Sequence, residues 1–496
     1  MARQAPPPPS SSTRELKGAL RSPLDRLLTI FSDIQPGEGL VGVAMLGSVF
    51  LLLTSIYFLK PARDGLLAIS GVPGLSDMEL KAYSSFGQSL ILLGVIPLYA
   101  RFATRLDRRS LARGLTLFFV SNLIIFWLLQ PGLVFEHVPF LGIVFYLWFG
   151  VFNLLAVVQF WSFAADFYSE VGGRRLFPAI AVGATAGSAT GAWLAKMLIR
   201  WGVCSTYSLL LAAAVTLVGS LALLAFAESR GAALKATPVA PVSAADESRG
   251  AFRLVLSHRY LLAVAVVILL ANWVKTNSDN LLFAIVQEVI GQEAGARGFS
   301  DPTALDRFTA DQTTTFYGGL FFWMNVAALL MQSLYASRIL KYGGFGALFL
   351  VLPLFSLVAY PLLAITPVLA FFRVAKVLED ATNYSLQNTA TQVLWLPTTR
   401  EMKYKGKAAI DTFFVRFGDA LAALTTFVGI QLLMLPARSF FALNAVLAVA
   451  WVAVGLVVVA EHRALVGFPE PHRDRLGQRR PHAKPARACA ERVLPR

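Results

Sequence analysis

The chain contains long apolar stretches, and these limit what it can fold into more than any other feature. Twelve stretches of about twenty residues are predominantly apolar, which is typical of membrane spans. They lie at residues 39–59, 82–100, 114–130, 140–165, 176–198, 207–227, 260–286, 313–337, 345–365, 367–396, 408–435 and 440–460. Their length indicates helices, because barrel strands alternate polar and apolar residues over only about ten positions. We therefore predict an all-α polytopic membrane protein with twelve transmembrane helices.

The composition excludes a large soluble enzyme, since only 15% of the 496 residues are charged and 56% are hydrophobic. No phosphate-binding loop of the ATPase kind is present, and no pair of nucleophile and base recurs in the spans. Cys204 and Cys489 are the only cysteines, so one chain cannot build a four-thiolate metal site. We predict no enzymatic activity, no cofactor and no metal.

A polar segment between the sixth and seventh stretches divides the chain into two sets of six spans. The predicted units are an N-terminal tail (1–36), a six-helix bundle (37–228), a linker (229–258), a second bundle (259–461) and a basic tail (462–496). Residues 14–34 of the first tail have apolar residues at helical spacing, which fits either a disordered tail or a helix on the membrane surface. The last tail carries nine Lys or Arg and is predicted to be disordered and attracted to anionic lipid.

The net charge of +15 arises mostly from loops and tails. All even-numbered loops and both tails are basic, whereas the third and ninth loops contain no Lys or Arg. Because basic residues are retained on the cytoplasmic side, both termini are predicted to face the cytoplasm, as in an inner-membrane protein. The bilayer explains the basic excess, and nucleic acid is not predicted as a partner.

The two sets of spans show a weak internal repeat. The basic segment 99–109 follows the second span, and the segment 335–344 follows the eighth at an offset of 236 residues. Two six-helix halves related in this way are typical of major-facilitator-type transporters, whose substrate site lies at the bilayer midplane between the halves. Coincidence between two basic loops is the alternative.

Polar residues inside the tenth span recur every three or four positions and therefore share one helical face. They are Arg373, Lys376, Asp380, Asn383, Gln387 and Thr391. A charged side chain at membrane depth costs about 2.5–3.5 kcal/mol on insertion scales, so it needs a partner or a wet cavity. A stripe that begins with two cations suits a path for an anionic substrate. The alternative is a pair of Lys376 and Asp380 that only neutralises itself.

Two further spans carry charged residues that either belong to a substrate site or have only a structural role. In the seventh span, Lys275 and Asp279 are one turn apart and form either part of the site or a self-neutralising pair. The first span ends in the segment KPARD at 60–64, where Pro61 removes a backbone donor and can kink the helix around Arg63 and Asp64. At the outer end of a span such residues either contact substrate or extend to the membrane surface.

The eleventh span begins with Lys407 and Asp411, one turn apart, and continues with Arg416 and Asp419. Basic side chains there can hold phosphate oxygens, or they can simply mark the cytoplasmic side. Asp166 ends the fourth span as a candidate inner gate or proton site, or as a structural partner of the basic pair 174–175.

Three glycines, Gly183, Gly187 and Gly191, form a small-residue seam in the fifth span. Such spacing favours close packing of two helices over a chemical role.

Several of these segments resemble the ATP:ADP antiporter family of plastids and intracellular bacteria, and resemble its free-living bacterial relatives more closely. They are FWSFAAD at 160–166, RRLFP at 174–178 and KYKGKAAID at 403–411. The similarity extends from about Thr54 to Ala460, and the KGKAAID segment is its most specific motif. The resemblance implies a twelve-helix, facilitator-like carrier that exchanges nucleotides through a cavity with basic residues.

By this resemblance, the family's basic–acidic pair of the first helix falls on Arg63 and Asp64, its acid after the Phe-Trp motif on Asp166, and its motif lysine on Lys407. Two acidic positions of the family are lost or moved. One falls near Phe149, and the other falls in the segment 272–279, where the family places a glutamate before a lysine.

We therefore predict a secondary transporter of an anionic substrate, with a nucleotide as the favoured substrate, working by alternating access between two six-helix halves. Arg373, Lys376 and Arg416 are the predicted phosphate contacts, and Lys407 lies at the inner mouth. Asp380 and Asp279 balance charge or couple transport. The alternatives are a proton-coupled carrier of another organic anion and a membrane scaffold or sensor that does not transport. A monomer is the favoured state.

Overall fold

Twelve long helical segments make up most of the part of the protein that the structure describes. The computed structural model describes residues 39–105, 108–135, 138–230 and 250–467. The predicted surface helix at 14–34, most of the linker and most of the basic tail lie outside these described residues.

The first six helices, α1 to α6, follow the predicted spans closely. They are Gly39–Ala68, Asp77–Arg105, Arg108–Leu128, Leu141–Phe167, Glu170–Arg200 and Ser208–Arg230. Helix α1 continues beyond the predicted end at residue 59 and includes Pro61 in its interior. A proline is tolerated there because neighbouring helices in a membrane bundle can satisfy the carbonyl group that it leaves free.

The second set of helices contains more irregular turns than the first. After a short helix, Ala251–Ser257, come α7 (Arg259–Arg297), α8 (Pro302–Leu330), α9 (Ser337–Ile365) and α12 (Ala437–Gly467). Helix α10 consists of Leu369–Thr382, the π-helical turn Asn383–Gln387 and Asn388–Leu394. Helix α11, Met402–Leu432, contains three π-helical turns, Met402–Gly406, Ile410–Phe414 and Val428–Leu432.

Nine helical stretches among the described residues are long and apolar enough to cross a membrane. One of them, Pro302–Ile365, has 64 residues and comprises two spans, because its axis changes direction at Gly344, whose φ of 71° favours glycine. Helices α5 and α10 are outside this set, since the first contains many glycines and basic residues and the second carries the polar stripe. The protein is therefore a multi-pass membrane protein, as predicted.

Local signals fix several helix ends. The side chain of Glu79 accepts a hydrogen bond from the backbone N–H of Ser76 (3.0 Å), and the Ser76 hydroxyl accepts one from the backbone N–H of Glu79 (3.4 Å). This reciprocal pair is a capping box at the beginning of α2. Asp301 caps α8 through the backbone N–H groups of Thr303 and Ala304.

The helices pack as two equivalent sets of six. The contacts α1–α5, α1–α6, α3–α6 and α2–α4 in the first set correspond to α7–α11, α7–α12, α9–α12 and α8–α10 in the second. Between the sets, α1–α8 corresponds to α7–α2, and α2–α11 corresponds to α8–α5. One apolar core is made by residues of the first set and a second core mainly by residues of the other. We call the two sets the N half and the C half.

The glycine seam of α5 lies against α1 and confirms the prediction of close packing. A Cβ atom on Gly183 would lie 2.8 Å from the carbonyl oxygen of Leu46, and one on Gly191 would lie 2.6 Å from that of Thr54. Any larger side chain would therefore push the two backbones apart. Close approach of this kind is how membrane helices gain packing energy without a hydrophobic driving force.

The two halves are in contact at the end where α2 and α8 begin. The amide of Gln431 donates to Glu79 Oε1 (2.7 Å), which joins α11 to α2. The backbone N–H and the hydroxyl of Thr206 both donate to Asp311 Oδ1 (2.7 Å each), which joins the α5–α6 loop to α8. At Gly65, α1 approaches α8 so closely that a Cβ would lie 2.6 Å from the carbonyl oxygen of Ala310. We call these contacts the terminal clasp.

Candidate functional site

A cavity of about 280 Å³ lies between the two halves. It is lined by α1, α2 and α4 of the N half and by α7, α8, α10 and α11 of the C half, and we call it the central cavity. Its charged lining residues are Lys60, Arg63, Asp64, Lys81, Lys275, Asp279, Asp380, Arg416 and Asp419. Seven of these nine were predicted from the sequence as site residues, and the fold brings them to one place.

On the N-half wall, one carboxylate serves two cations. Asp64 is fully buried and forms an ion pair with Arg63 (3.0 Å), and it also contacts the ammonium group of Lys81. The Arg63 guanidinium lies 4.4 Å from the centre of the Tyr146 ring and 5.3 Å from that of Phe149. Phe149, near which a lost acidic position of the resembled family falls, therefore contributes an aromatic face to Arg63. This cluster retains a positive charge beyond what Asp64 neutralises.

Lys60 adds a second positive charge to the same wall. Its ammonium group lies 4.2 Å from the centre of the Phe321 ring, 5.2 Å from that of Tyr57 and 5.9 Å from that of Tyr384. These are cation–π contacts, which favour a cation without neutralising it. No carboxylate of the described residues lies within ion-pair distance of Lys60. The group can therefore bind an anion without first breaking an ion pair.

On the C-half wall, carboxylates outnumber cations. Lys376 is 1% exposed and its ammonium group contacts three carboxylates, those of Asp279 (2.7 Å), Glu379 (3.2 Å) and Asp380 (3.2 Å). Asp279 also pairs with Lys275 (2.7 Å). Two cations and three acids thus form one network, in which Lys376 lies behind the cavity surface. The network is anchored to α9, because Tyr360 donates to Glu379 at 2.5 Å.

A third cluster joins α11 to α2 and α7. Asp419 accepts hydrogen bonds from Ser89 (2.5 Å), Asn272 (2.7 Å) and Thr276 (2.8 Å). Arg416 lies 3.5 Å from the Asp419 carboxylate and donates to the Ser89 hydroxyl at 3.4 Å. Because Ser89 belongs to the N half, this cluster bridges the two halves beside the central cavity.

The two walls therefore carry opposite excess charge. The N-half wall has three cations, Lys60, Arg63 and Lys81, for the single carboxylate of Asp64. The C-half wall and the network behind it have three cations and four acids. The cations are Lys275, Lys376 and Arg416, and the acids are Asp279, Glu379, Asp380 and Asp419. An anionic group in the cavity is attracted most strongly toward α1 and α2.

A second cavity of about 210 Å³ lies inside the C half, bounded by α7, α9, α10, α11 and α12. Asn383, Gln387 and Thr391 of the predicted polar stripe line this C-half cavity, and so does Asp411. It meets the central cavity at three shared lining residues, Asn272, Lys275 and Asp380. The part of the stripe from Asn383 to Thr391 thus lines a separate cavity that neighbours the central cavity.

Three predicted site residues lie elsewhere. Arg373 reaches Gly319 of α8, and its guanidinium lies 5.3 Å from the centre of the Phe316 ring. Lys407 is half-buried near the beginning of α11, and Asp166 is exposed at the end of α4. None of these three lines either cavity, and neither does the buried Lys376. Their roles in binding remain predictions.

Lys60, Lys81 and Tyr146 were not among the predicted site residues. The sequence places Lys60 at the outer end of the first span and Lys81 just before the second predicted span, which begins at residue 82, and neither position indicates a cavity. The available signal was the capping box at Ser76, which places the beginning of α2 before Lys81. Among the described residues, no three His, Cys, Asp or Glu side chains are grouped so that they could hold a metal ion.

Comparison with known proteins gives one similar sequence and several similar structures. No protein-family profile matches the chain. The ADP,ATP carrier protein 1 of Chlamydia muridarum is 27% identical over 167 residues. This similarity covers 30% of the chain and 31% of the carrier, so the chain matches about a third of that relative's length.

Solved transporter structures share the fold. A POT family transporter crystallised with 5-aminolevulinic acid has a TM-score of 0.57 at 14% identity, over 85% of this chain and 96% of that one. The nucleoside transporter NupG has a TM-score of 0.52 at 12% identity, over 86% of this chain and 100% of that one. The predicted facilitator-type fold of two six-helix halves is thereby confirmed.

Proposed function

We propose that the protein is a secondary transporter that moves an anionic organic substrate, with a nucleotide as the favoured substrate, by alternating access between its two halves. It acts in the inner membrane with both termini in the cytoplasm, as the distribution of basic loops indicates. Transport, and not catalysis, is the activity that this arrangement supports.

The observation that carries the proposal is the positive N-half wall of the central cavity. Arg63 and Lys81 share one carboxylate and Lys60 has only aromatic neighbours, so a binding group with negative charge would balance the excess positive charge. Cations without a negative partner are costly at membrane depth, so their presence there indicates a function. Arginine and lysine together offer both bidentate and point-charge contacts to phosphate oxygens.

The favoured substrate rests on the sequence similarity. The relative from Chlamydia muridarum is named as an ADP,ATP carrier, and the motif segments 160–166 and 403–411 resemble the same family. Among proteins of similar fold, one is named as a nucleoside transporter and another was crystallised with 5-aminolevulinic acid. An organic substrate with a negatively charged phosphate group is consistent with the cavity charges.

Alternating access gives the terminal clasp a role as the outer gate. With both termini in the cytoplasm, the end at which α2 and α8 begin faces outward. Opening to the outside then requires the Gln431–Glu79 and Thr206–Asp311 contacts to separate while the two apolar cores stay intact. The α2–α11 cluster of Ser89, Arg416 and Asp419 lies beside the substrate, so it can respond to binding.

The test is uptake into liposomes that contain the purified protein. Liposomes loaded with ADP should accumulate labelled ATP, and liposomes without internal nucleotide should accumulate much less. Lys60→Met, which removes the unpaired cation, should reduce the uptake at low ATP concentration. Absence of uptake of any nucleotide, with or without internal nucleotide and with or without a proton gradient, would contradict the proposal.

A second candidate, a proton-coupled carrier of another organic anion, is favoured by the acids around Lys376. Three carboxylates surround that one buried ammonium group, and one of them, Asp380, also lines both cavities. A proton on Asp380 would lower the negative excess of the C-half wall. Proton coupling would be supported if uptake requires an imposed pH gradient and the Asp380→Asn variant no longer requires it. Uptake that is the same with and without the gradient would exclude proton coupling.

A further inference from the structure

The C-half cavity differs in chemistry from the central cavity that it neighbours. Most of its walls are apolar or aromatic, including Val264, Val267, Phe349, Leu352 and Trp451. The polar groups among them are the uncharged side chains of Asn272, Asn383, Gln387 and Thr391 and the charged side chains of Lys275, Glu379, Asp380 and Asp411. A chamber of this kind suits a flat, largely apolar group that carries a few hydrogen-bonding atoms.

Two buried polar atoms on this lining have no partner among the described residues. Gln387 is 9% exposed and its Oε1 accepts no hydrogen bond, and Trp451 is 2% exposed and its Nε1 donates none. An unpaired polar group in an apolar interior is costly, so most such groups are satisfied. Both atoms are buried at the edge of the chamber, so a ligand that offers both a donor and an acceptor would pair with them after a small shift of the two side chains.

The charges around the chamber disfavour a phosphate group there. Glu379, Asp380 and Asp411 line it, and the only basic lining residue, Lys275, is already paired with Asp279 at 2.7 Å. Phosphate is favoured instead on the N-half wall, where the cations are in excess. The C-half cavity therefore suits the uncharged part of a molecule whose charged part lies near α1 and α2.

The sizes of the two cavities also support one ligand that occupies both. Sites for small organic molecules usually have volumes of about 300–1,000 Å³. The central cavity, at about 280 Å³, and the C-half cavity, at about 210 Å³, are each below this range but together fall within it. The two cavities are neighbours, since Asn272, Lys275 and Asp380 line both, so a ligand that occupies both must pass between these three side chains.

We propose that the C-half cavity is the subsite for the nucleobase of the substrate. Gln387 accepts a hydrogen bond from the N–H edge of the base, and Trp451 donates one to a ring nitrogen or carbonyl. The phosphates are held by Lys60, Arg63 and Lys81. This assignment rests on the proposed function, since it divides that substrate between two chambers. A nucleobase offers donor and acceptor atoms on one edge and a face that stacks on aromatic side chains.

The experiment measures binding to the purified full-length protein of two probes, ATP and inorganic tripolyphosphate, which has the charge but no base. The wild-type protein should bind ATP more tightly. In Gln387→Leu and in Trp451→Phe, the affinity for ATP should fall about three- to tenfold, as for loss of one hydrogen bond, while the affinity for tripolyphosphate stays unchanged. The matched controls are Gln392→Leu, at an exposed site on α10, and Trp395→Phe, at a buried indole outside both cavities.

The outcomes distinguish failure of the subsite from failure of the proposed function. If the wild-type protein binds ATP and both cavity variants retain its affinity, the subsite is wrong and the nucleotide transporter stands. Equal binding of ATP and tripolyphosphate by the wild-type protein also removes the subsite while keeping the anion-binding wall. If the wild-type protein binds neither probe, the proposed function fails and the subsite fails with it. The ratio of the two affinities within one variant separates a lost base contact from a damaged fold.

Discussion

The ammonium group of Lys60 on α1 lies 4.2 Å from the centre of the Phe321 ring on α8, across the boundary between the two halves. This contact holds a cation at the cavity surface without giving it a negative partner. The positive charge stays available to substrate, and the aromatic ring fixes its position.

Replacement of Lys60 tests its role as an anion contact. Lys60→Met should weaken binding of ATP about 10- to 100-fold, because a hydrogen bond to a charged group contributes about 1.5–3 kcal/mol. Lys60→Arg should retain most of the affinity. Titration of the purified protein with ATP measures both, and Lys341→Met, at an exposed lysine of α9, is the control. Equal affinities of Lys60→Met and the wild-type protein would remove Lys60 from the site.

Removal of the Asp64 carboxylate should make the fold depend on a bound anion. Asp64→Asn leaves Arg63 and Lys81 without their shared counter-charge, and breaking a buried pair costs about 3–5 kcal/mol. We expect a lower Tm in the absence of ligand and a larger increase in Tm with tripolyphosphate than in the wild-type protein.

The control for this variant is Glu293→Gln, which breaks an exposed pair with Arg297 and should change the Tm little. A Tm gain from tripolyphosphate that is the same in Asp64→Asn and in the wild-type protein would show that the anion does not bind near Asp64.

The glycine seam provides a test of the packing of α1 on α5. In Gly191→Ala the added Cβ would lie 2.6 Å from the Thr54 carbonyl oxygen, so the backbones must separate. The variant should have a lower Tm in detergent. In Gly94→Ala on α2 the Cβ meets no atom within 4 Å, so this matched substitution should leave the Tm equal or slightly higher. A Gly191→Ala protein as stable as Gly94→Ala would contradict the close approach.

The terminal clasp should be locked by a cross-link. In a background of Cys204→Ser and Cys489→Ser, Glu79→Cys and Gln431→Cys together should react with a short bifunctional thiol reagent, since the native side chains meet at 2.7 Å. Uptake should stop after cross-linking and return when a cleavable linker is reduced. Each single-cysteine variant, treated in the same way, should continue to transport. Full uptake by the cross-linked protein would exclude this clasp as the outer gate.

The sequence predicts the number and order of the helices because apolar length is a local property. It does not identify Lys60, at the outer end of the first predicted span, or Lys81, just before the second, as residues of the site. Charged residues usually mark the membrane surface, but here they continue the helices and face a polar cavity between the halves. No local pattern distinguishes these two surroundings.

The stripe on α10 illustrates the same limit for the site. Helical spacing correctly places Asp380, Asn383 and Gln387 on one face, and they share the C-half cavity. Arg373 belongs to the same periodic pattern but reaches α8 instead. Periodicity defines a face of a helix, whereas the neighbour that this face meets depends on how α10 packs between other helices along its length.

The seam between α1 and α5 has a mechanical consequence. Backbones in contact through glycines at successive turns cannot slide or tilt without collision, so we expect the N half to turn as one stiff block. The π-helical turns interrupt α10 and α11, where the helical hydrogen-bond ladder is less regular. The two halves are then unequal partners. The N half is rigid, and the C half is the more deformable of the two. We expect amide hydrogen exchange to be slower in α1 and α5 than in α10 and α11.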